Sequence, residues 1–149
     1  MRAPSPSRVL IVAHQTVDSP ELAEAVARRA QEGPCTFTLL VPARAAAPHS
    51  LSDPNAHALS EAEERLDLAI PLLSEAVGEA IIGVIGAHEP LAAVQDALNV
   101  LGFDEVIIAM LPVRESRWFR LELPRKVRAL GVPVTEVITS VREVDHTAA

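Results

Sequence analysis

The apolar positions of this chain fall into two kinds of run that take turns. Arg8-Val-Leu-Ile-Val-Ala13 is unbroken and rich in β-branched side chains, the pattern of a strand buried on both faces. Asp18-Ser19-Pro20 then supplies a capping side chain and a proline for a first helical turn. Leu22, Ala25, Val26 and Arg29 keep helical spacing until Gly33-Pro34. Cys35 to Val41 reads as a second strand ended by Pro42, and residues 42–58, with three prolines and two histidines, read as a long loop. Ser60-Glu-Ala-Glu63 has the form of a capping box and opens a helix striped by Leu66, Ala69, Ile70, Leu73 and Val77. Pro71 lies within that helix and predicts a kink.

The same alternation continues to the end. Ala80 to Gly86 predicts a third strand. Glu89-Pro90 predicts a third helix with Leu91, Val94, Leu98 and Leu101 inward and Gly102 as its stop. Asp104 to Ala109 predicts a fourth strand, Met110 to Leu121 a loop with one turn, and Pro124 to Leu130 a fourth helix. Val132 to Val141 predicts a fifth strand, more polar than the rest, as at a sheet edge. Strand–helix alternation specifies an α/β fold with a parallel sheet and right-handed crossovers. Ligands of such a sheet bind beyond the carboxyl ends of the strands, where the strand order reverses.

A length of 149 residues fits one domain, expected over 8–141 between a flexible leader (1–7) and a flexible tail (142–149). With 49% hydrophobic and 22% charged residues, the chain can bury a core and is not of the disordered class. Its longest apolar stretch, Ala80 to Ala87, is too short for a membrane helix, and residues 1–7 lack an apolar signal region. The single cysteine, Cys35, excludes an internal disulfide framework. A cytoplasmic location is the expectation. The net charge of −7 argues against a nucleic-acid surface. Between Arg114 and Arg128, however, six basic side chains face two acidic ones, a net +4 that leaves −11 for the rest of the chain.

Three segments resemble the universal stress protein family. They are Val9-Leu-Ile-Val-Ala-His-Gln-Thr16, then Gly86-Ala-His-Glu-Pro90 with the helix after it, and Phe103 to Ala109 followed at a distance by Gly131-Val-Pro-Val-Thr-Glu-Val137. The resemblance spans about residues 8–140. It implies a three-layer, Rossmann-like sandwich of the adenine nucleotide alpha hydrolase type. Its open sheet has five parallel strands in the order 3-2-1-4-5, reversing between the first and fourth. It also implies a homodimer built through the fifth strand, and in many members ATP bound at the reversal.

Members that bind ATP carry glycines after the fourth strand, which let main-chain N–H groups approach the phosphates. Here Ala109 and Pro112 stand at the first two of those positions, and Glu122 and Leu123 at the last glycine and the hydroxyl residue after it, or Leu121 and Glu122 if the loop is one residue shorter. His14 and Gln15 replace the family's Asp and Gly after the first strand, and Thr16 keeps the hydroxyl. The implied site lies between Ala13–Thr16 and Ala109–Arg120. It comprises Ala13, His14, Gln15, Thr16, Val41 on the adenine side, Ala109, Met110, Pro112, Arg114, Ser116, Arg117 and Arg120. Guanidinium forks from Arg114, Arg117 and Arg120 can stand in for lost backbone donors, with ATP or AMP as possible ligands and no cofactor certain. The alternative for the whole basic segment is a solvated helix surface, which suits Arg125, Lys126 and Arg128 at a helix C-terminus.

Other chemistries lack their residues. There is no phosphate-binding Gly-x-x-x-x-Gly-Lys loop, no Gly-x-Gly-x-x-Gly turn and no nucleophile elbow. No metal site is expected, because in the implied order His14 and His88 end strands roughly 10 Å apart. Trp118 and Phe119 can stack on a base or cover the loop's own core. Cys35 reads as a small buried hydrophobe. The sequence thus points to a non-catalytic binding or signalling module with an altered anion or nucleotide site. Two alternatives stand beside it: a structural dimer whose crevice is filled by Met110, Leu111 and Trp118, and an enzyme acting on phosphate.

Overall fold

The computed structural model describes residues 6–14, 16–43, 54–87, 89–112, 118 and 122–139, with backbone alone for 54–60. Among the described residues five strands and four helices alternate: β1 (Ser7–Val12), α1 (Pro20–Glu32), β2 (Cys35–Pro42), α2 (Pro54–Val77), β3 (Ile82–Gly86), α3 (Pro90–Val100), β4 (Glu105–Met110), α4 (Leu123–Arg128) and β5 (Val134–Ile138). The strands form one sheet in the order β3-β2-β1-β4-β5, and all four pairings are parallel.

The unbroken apolar character of β1 follows from its central place. Its side chains alternate between two helical layers. Val9 and Ile11, with Ala13 just beyond the strand, join Phe37, Leu39, Val41, Ile107 and Ala109 under α1 and α2. Leu10 and Val12 join Leu40, Val106, Ile108 and Met110 under α3 and α4. Val9 to Ala13 are all at 0% exposure, so this core is two-sided.

Proline and capping side chains set the helix starts. Ser19 caps α1 by accepting the N–H of Leu22 at 3.2 Å, and Glu89 caps α3 by accepting that of Leu91 at 2.9 Å. In both helices a proline follows the cap, where no N–H is missed. One expectation fails here. The helix predicted to open at the Ser60–Glu63 box begins six residues earlier, at Pro54, so that box is helix interior and part of the expected loop is helical. Pro71 stands on the exposed side of the same continuous helix. Met110, read as the start of a loop, is the last residue of β4, because its side chain is 1% exposed in the α3/α4 layer.

The amino-terminal edge of the sheet is tied by polar contacts. Arg29, in the last turn of α1, donates to Glu105 at the start of β4 at 2.7 Å, and that hydrogen bond raises the pKa of its guanidinium. Arg8 and Asp104 exchange bonds between β1 and β4. The Arg8 N–H donates to the carboxylate at 2.7 Å, and the Asp104 N–H donates to the Arg8 carbonyl at 2.8 Å.

Cys35 opens β2 at 8% exposure, and burial pushes its thiol pKa up. Above the unfolded thiol's value of about 8.5 the unfolded chain ionises first, so this group's contribution to stability fades as pH rises. The expected chemical result is protection. At about pH 8, a thiol reagent should react roughly a hundredfold more slowly with the native protein than with the protein in denaturant. Equal rates would place Cys35 at the surface.

Candidate functional site

The sheet order brings the carboxyl ends of β1 and β4 side by side, and the turns that leave them are joined. After β1 the chain makes a tight turn through Thr16, Val17 and Asp18, closed by the Ser19 N–H donating to the Thr16 carbonyl at 3.0 Å. The Thr16 hydroxyl, in a residue 5% exposed, donates to the carbonyl of Ala109 on β4 at 3.2 Å. On the far side of β4, the Met110 carbonyl accepts both the N–H of Thr139 at 2.9 Å and its hydroxyl at 3.2 Å. The last two carbonyls of β4 thus each accept a hydroxyl from a neighbouring segment, Ala109 from Thr16 and Met110 from Thr139.

Packing matches that hydrogen bonding. Of the sequence-derived site residues, Ala13, Val41, Ala109 and Met110 are brought together at this edge, and all four are buried. Trp118 packs against the same layer as Met110. Pro112, half-buried, has no N–H to offer. Gln15, Arg114, Ser116, Arg117 and Arg120 lie outside the described residues, as does His88.

His14 leaves β1 toward α2. Its Nε2 lies 3.7 Å from a carboxylate oxygen of Glu61, with the two side chains 12% and 22% exposed. Arg65, one turn further along α2, approaches that same oxygen at 3.9 Å. This cluster escaped sequence reading because Glu61 was absorbed into an apparent capping box. Its position one turn before Arg65 was the available signal.

The later basic residues sit on α4 as a surface helix should carry them. Arg125 pairs with Glu122 at 3.4 Å and Arg128 with Glu136 at 2.8 Å, while Lys126 is exposed. Glu122 itself, just before α4, has φ 55° and ψ 40°, the left-handed region. It is the lone non-glycine residue with positive φ among the described residues. A side chain there costs about 1 kcal/mol. Its exposed pair with Arg125 returns little. Glu122→Gly is therefore expected to raise stability by about 1 kcal/mol in a denaturant melt. A loss of similar size would show that the ion pair outweighs the backbone strain. No three potential metal ligands cluster among the described residues.

No protein-family model matches the sequence, and no curated protein matches it. Solved structures do. A protein of the universal stress protein family from Burkholderia pseudomallei is 17% identical, with a TM-score of 0.61 over 88% of this chain and 95% of that one. The universal stress protein from Archaeoglobus fulgidus is 13% identical, with a TM-score of 0.63 over 88% of this chain and 93% of that one. Together with the strand order and the two helical layers, these likenesses give the chain the universal stress protein fold.

Proposed function

We propose that this chain is a non-catalytic signalling module of the universal stress type, in which the crevice that would hold ATP is sealed by the protein itself. One observation carries the reading: at the β1/β4 junction the Thr16 hydroxyl is bonded to the Ala109 carbonyl, with Ala13 and Ala109 buried beneath α1 and α2 and Met110 buried on the other face of the sheet. Main-chain amides grip phosphates only where the backbone is bare and mobile enough to turn toward them. Ala109 and Pro112 offer neither property. The module is cytoplasmic in this reading. It pairs through the edge strand β5, where Ile138 is 45% exposed. No described helix is long and apolar enough to cross a membrane.

A second reading keeps a ligand. The net +4 of residues 114–128 supports an anion, a nucleotide monophosphate or phosphate, held by the side chains of Arg114, Arg117 and Arg120. One set of melts separates the two readings. A ligand at 100 times its Kd adds about 2.7 kcal/mol, roughly 5–10 °C for a chain of this size. The sealed module is expected to shift by less than about 1 °C with ATP, AMP, cyclic AMP or phosphate. A shift with AMP or phosphate that Arg117→Ala abolishes would establish the anion site instead. Steady phosphate release from ATP, lost in His14→Ala, would overturn the non-catalytic assignment altogether.

A further inference from the structure

We propose that His14 and Glu61 form a proton-operated clasp that fastens the turn after β1 to α2. The turn is otherwise held from the β4 side, by the Thr16 hydroxyl on the Ala109 carbonyl. On the opposite side, the His14 ring faces α2, with Nε2 3.7 Å from the Glu61 carboxylate in a setting that is mostly shielded from water. At that spacing and burial, the attraction depends on whether the imidazole carries its proton. Protonated, the ring is a cation against an anion. Neutral, it leaves Glu61 to Arg65, whose guanidinium stands 3.9 Å from the same oxygen. Two cations thus compete for one carboxylate, and only one of them is switched by pH near neutrality.

Among the described residues, the ring's own turn and α2 bring charges close to it. α2 contributes Glu61 and Arg65, and the ring's own turn contributes Asp18. The first residue of α1 with a charge is Glu21. Burial of the ring and the Arg65 cation disfavour the imidazolium; in the clasp, the Glu61 anion outweighs them. A histidine that gains an anionic partner on folding adds stability below the unfolded imidazole's value of about 6.5. That stability is lost as pH rises through the folded value. Acid therefore closes the clasp and alkali opens it, whether or not the crevice takes a ligand.

Proton NMR of the histidine ring resonances tests this, with the His14 signal identified by its loss in His14→Gln. In Glu61→Gln the His14 titration midpoint is expected to move to lower pH by about one unit, since the anion is gone and Arg65 remains. In Arg65→Gln it is expected to move the opposite way. Wild type should also melt further above His14→Gln at about pH 5.5 than at about pH 8. A His14 midpoint unmoved by both α2 variants, or a melting difference that is flat with pH, would overturn the proposal. Either α2 variant suffices if the other fails to fold.

Discussion

Leu10→Ala is expected to destabilise the protein by about 3 kcal/mol, and to lower its melting temperature by about 10 °C. Leu10 is at 0% exposure in the middle of the central strand and projects into the layer formed by α3 and α4. Truncation removes most of a side chain from the packed cluster that also holds Val94, Ile108 and Val127. Secondary structure on both sides holds the site open, so the cavity collapses only in part. Ile11→Ala empties the other layer, beneath α1 and α2, and should cost a similar amount. Val100→Ala is the control: at 79% exposure, it should change stability by no more than about 0.5 kcal/mol. Chemical denaturation of the three variants measures this. A small loss for either strand variant would mean that β1 is not buried between two helical layers.

Gly86→Val is expected to cost about 3 kcal/mol, through crowding instead of a void. Gly86 ends β3, and a Cβ built on it would lie 2.7 Å from the Cβ of Ala93 and 2.8 Å from Cδ1 of Leu40. The Ala93 methyl is fixed to the backbone of α3 and cannot rotate away, so α3 itself must move. Gly83, three residues earlier, makes an instructive contrast. Its Cβ would meet Cδ1 of Ile70 at 2.6 Å and Cδ2 of Leu66 at 2.8 Å, both at the far ends of flexible α2 side chains. Gly83→Ala should therefore cost less than Gly86→Val, about 1 kcal/mol. Equal costs in a denaturant melt would show that α2 is as unyielding as α3.

Legibility of the fold in the sequence varied with the physics behind each element. The three central strands were clear because burial on two faces forces continuous apolar runs, as in Val9 to Ala13. The starts of α1 and α3 were clear because a cap and a proline act locally at Ser19-Pro20 and Glu89-Pro90. The start of α2 was missed for a local reason too. Pro54 in the sequence Asp-Pro carries the same local signal for a first turn, whereas the Ser60–Glu63 box imitates a start inside the helix. Met110 shows the limit of reading strand ends by composition, since what extends β4 through it is packing from α3 and α4.

The site was legible in outline only. Sequence order located the edge where Thr16 meets Ala109, and the substitutions at Ala109 and Pro112 pointed to a changed phosphate grip. The meeting of His14 with Glu61 depends on how α2 lies across the sheet, which no local pattern encodes. The left-handed backbone of Glu122 is not marked by the residue itself, an ordinary acid; the sign of it was the glycine that the resembled family carries at that position.

The sealed junction between β1 and β4 is tested most directly by calorimetric titration of the protein with magnesium and ATP. The expected result is no saturable heat, corresponding to a Kd weaker than about 1 mM. Stoichiometric binding with a Kd of about 10 µM or tighter, retained in Arg117→Ala and so carried by main-chain donors, would contradict it.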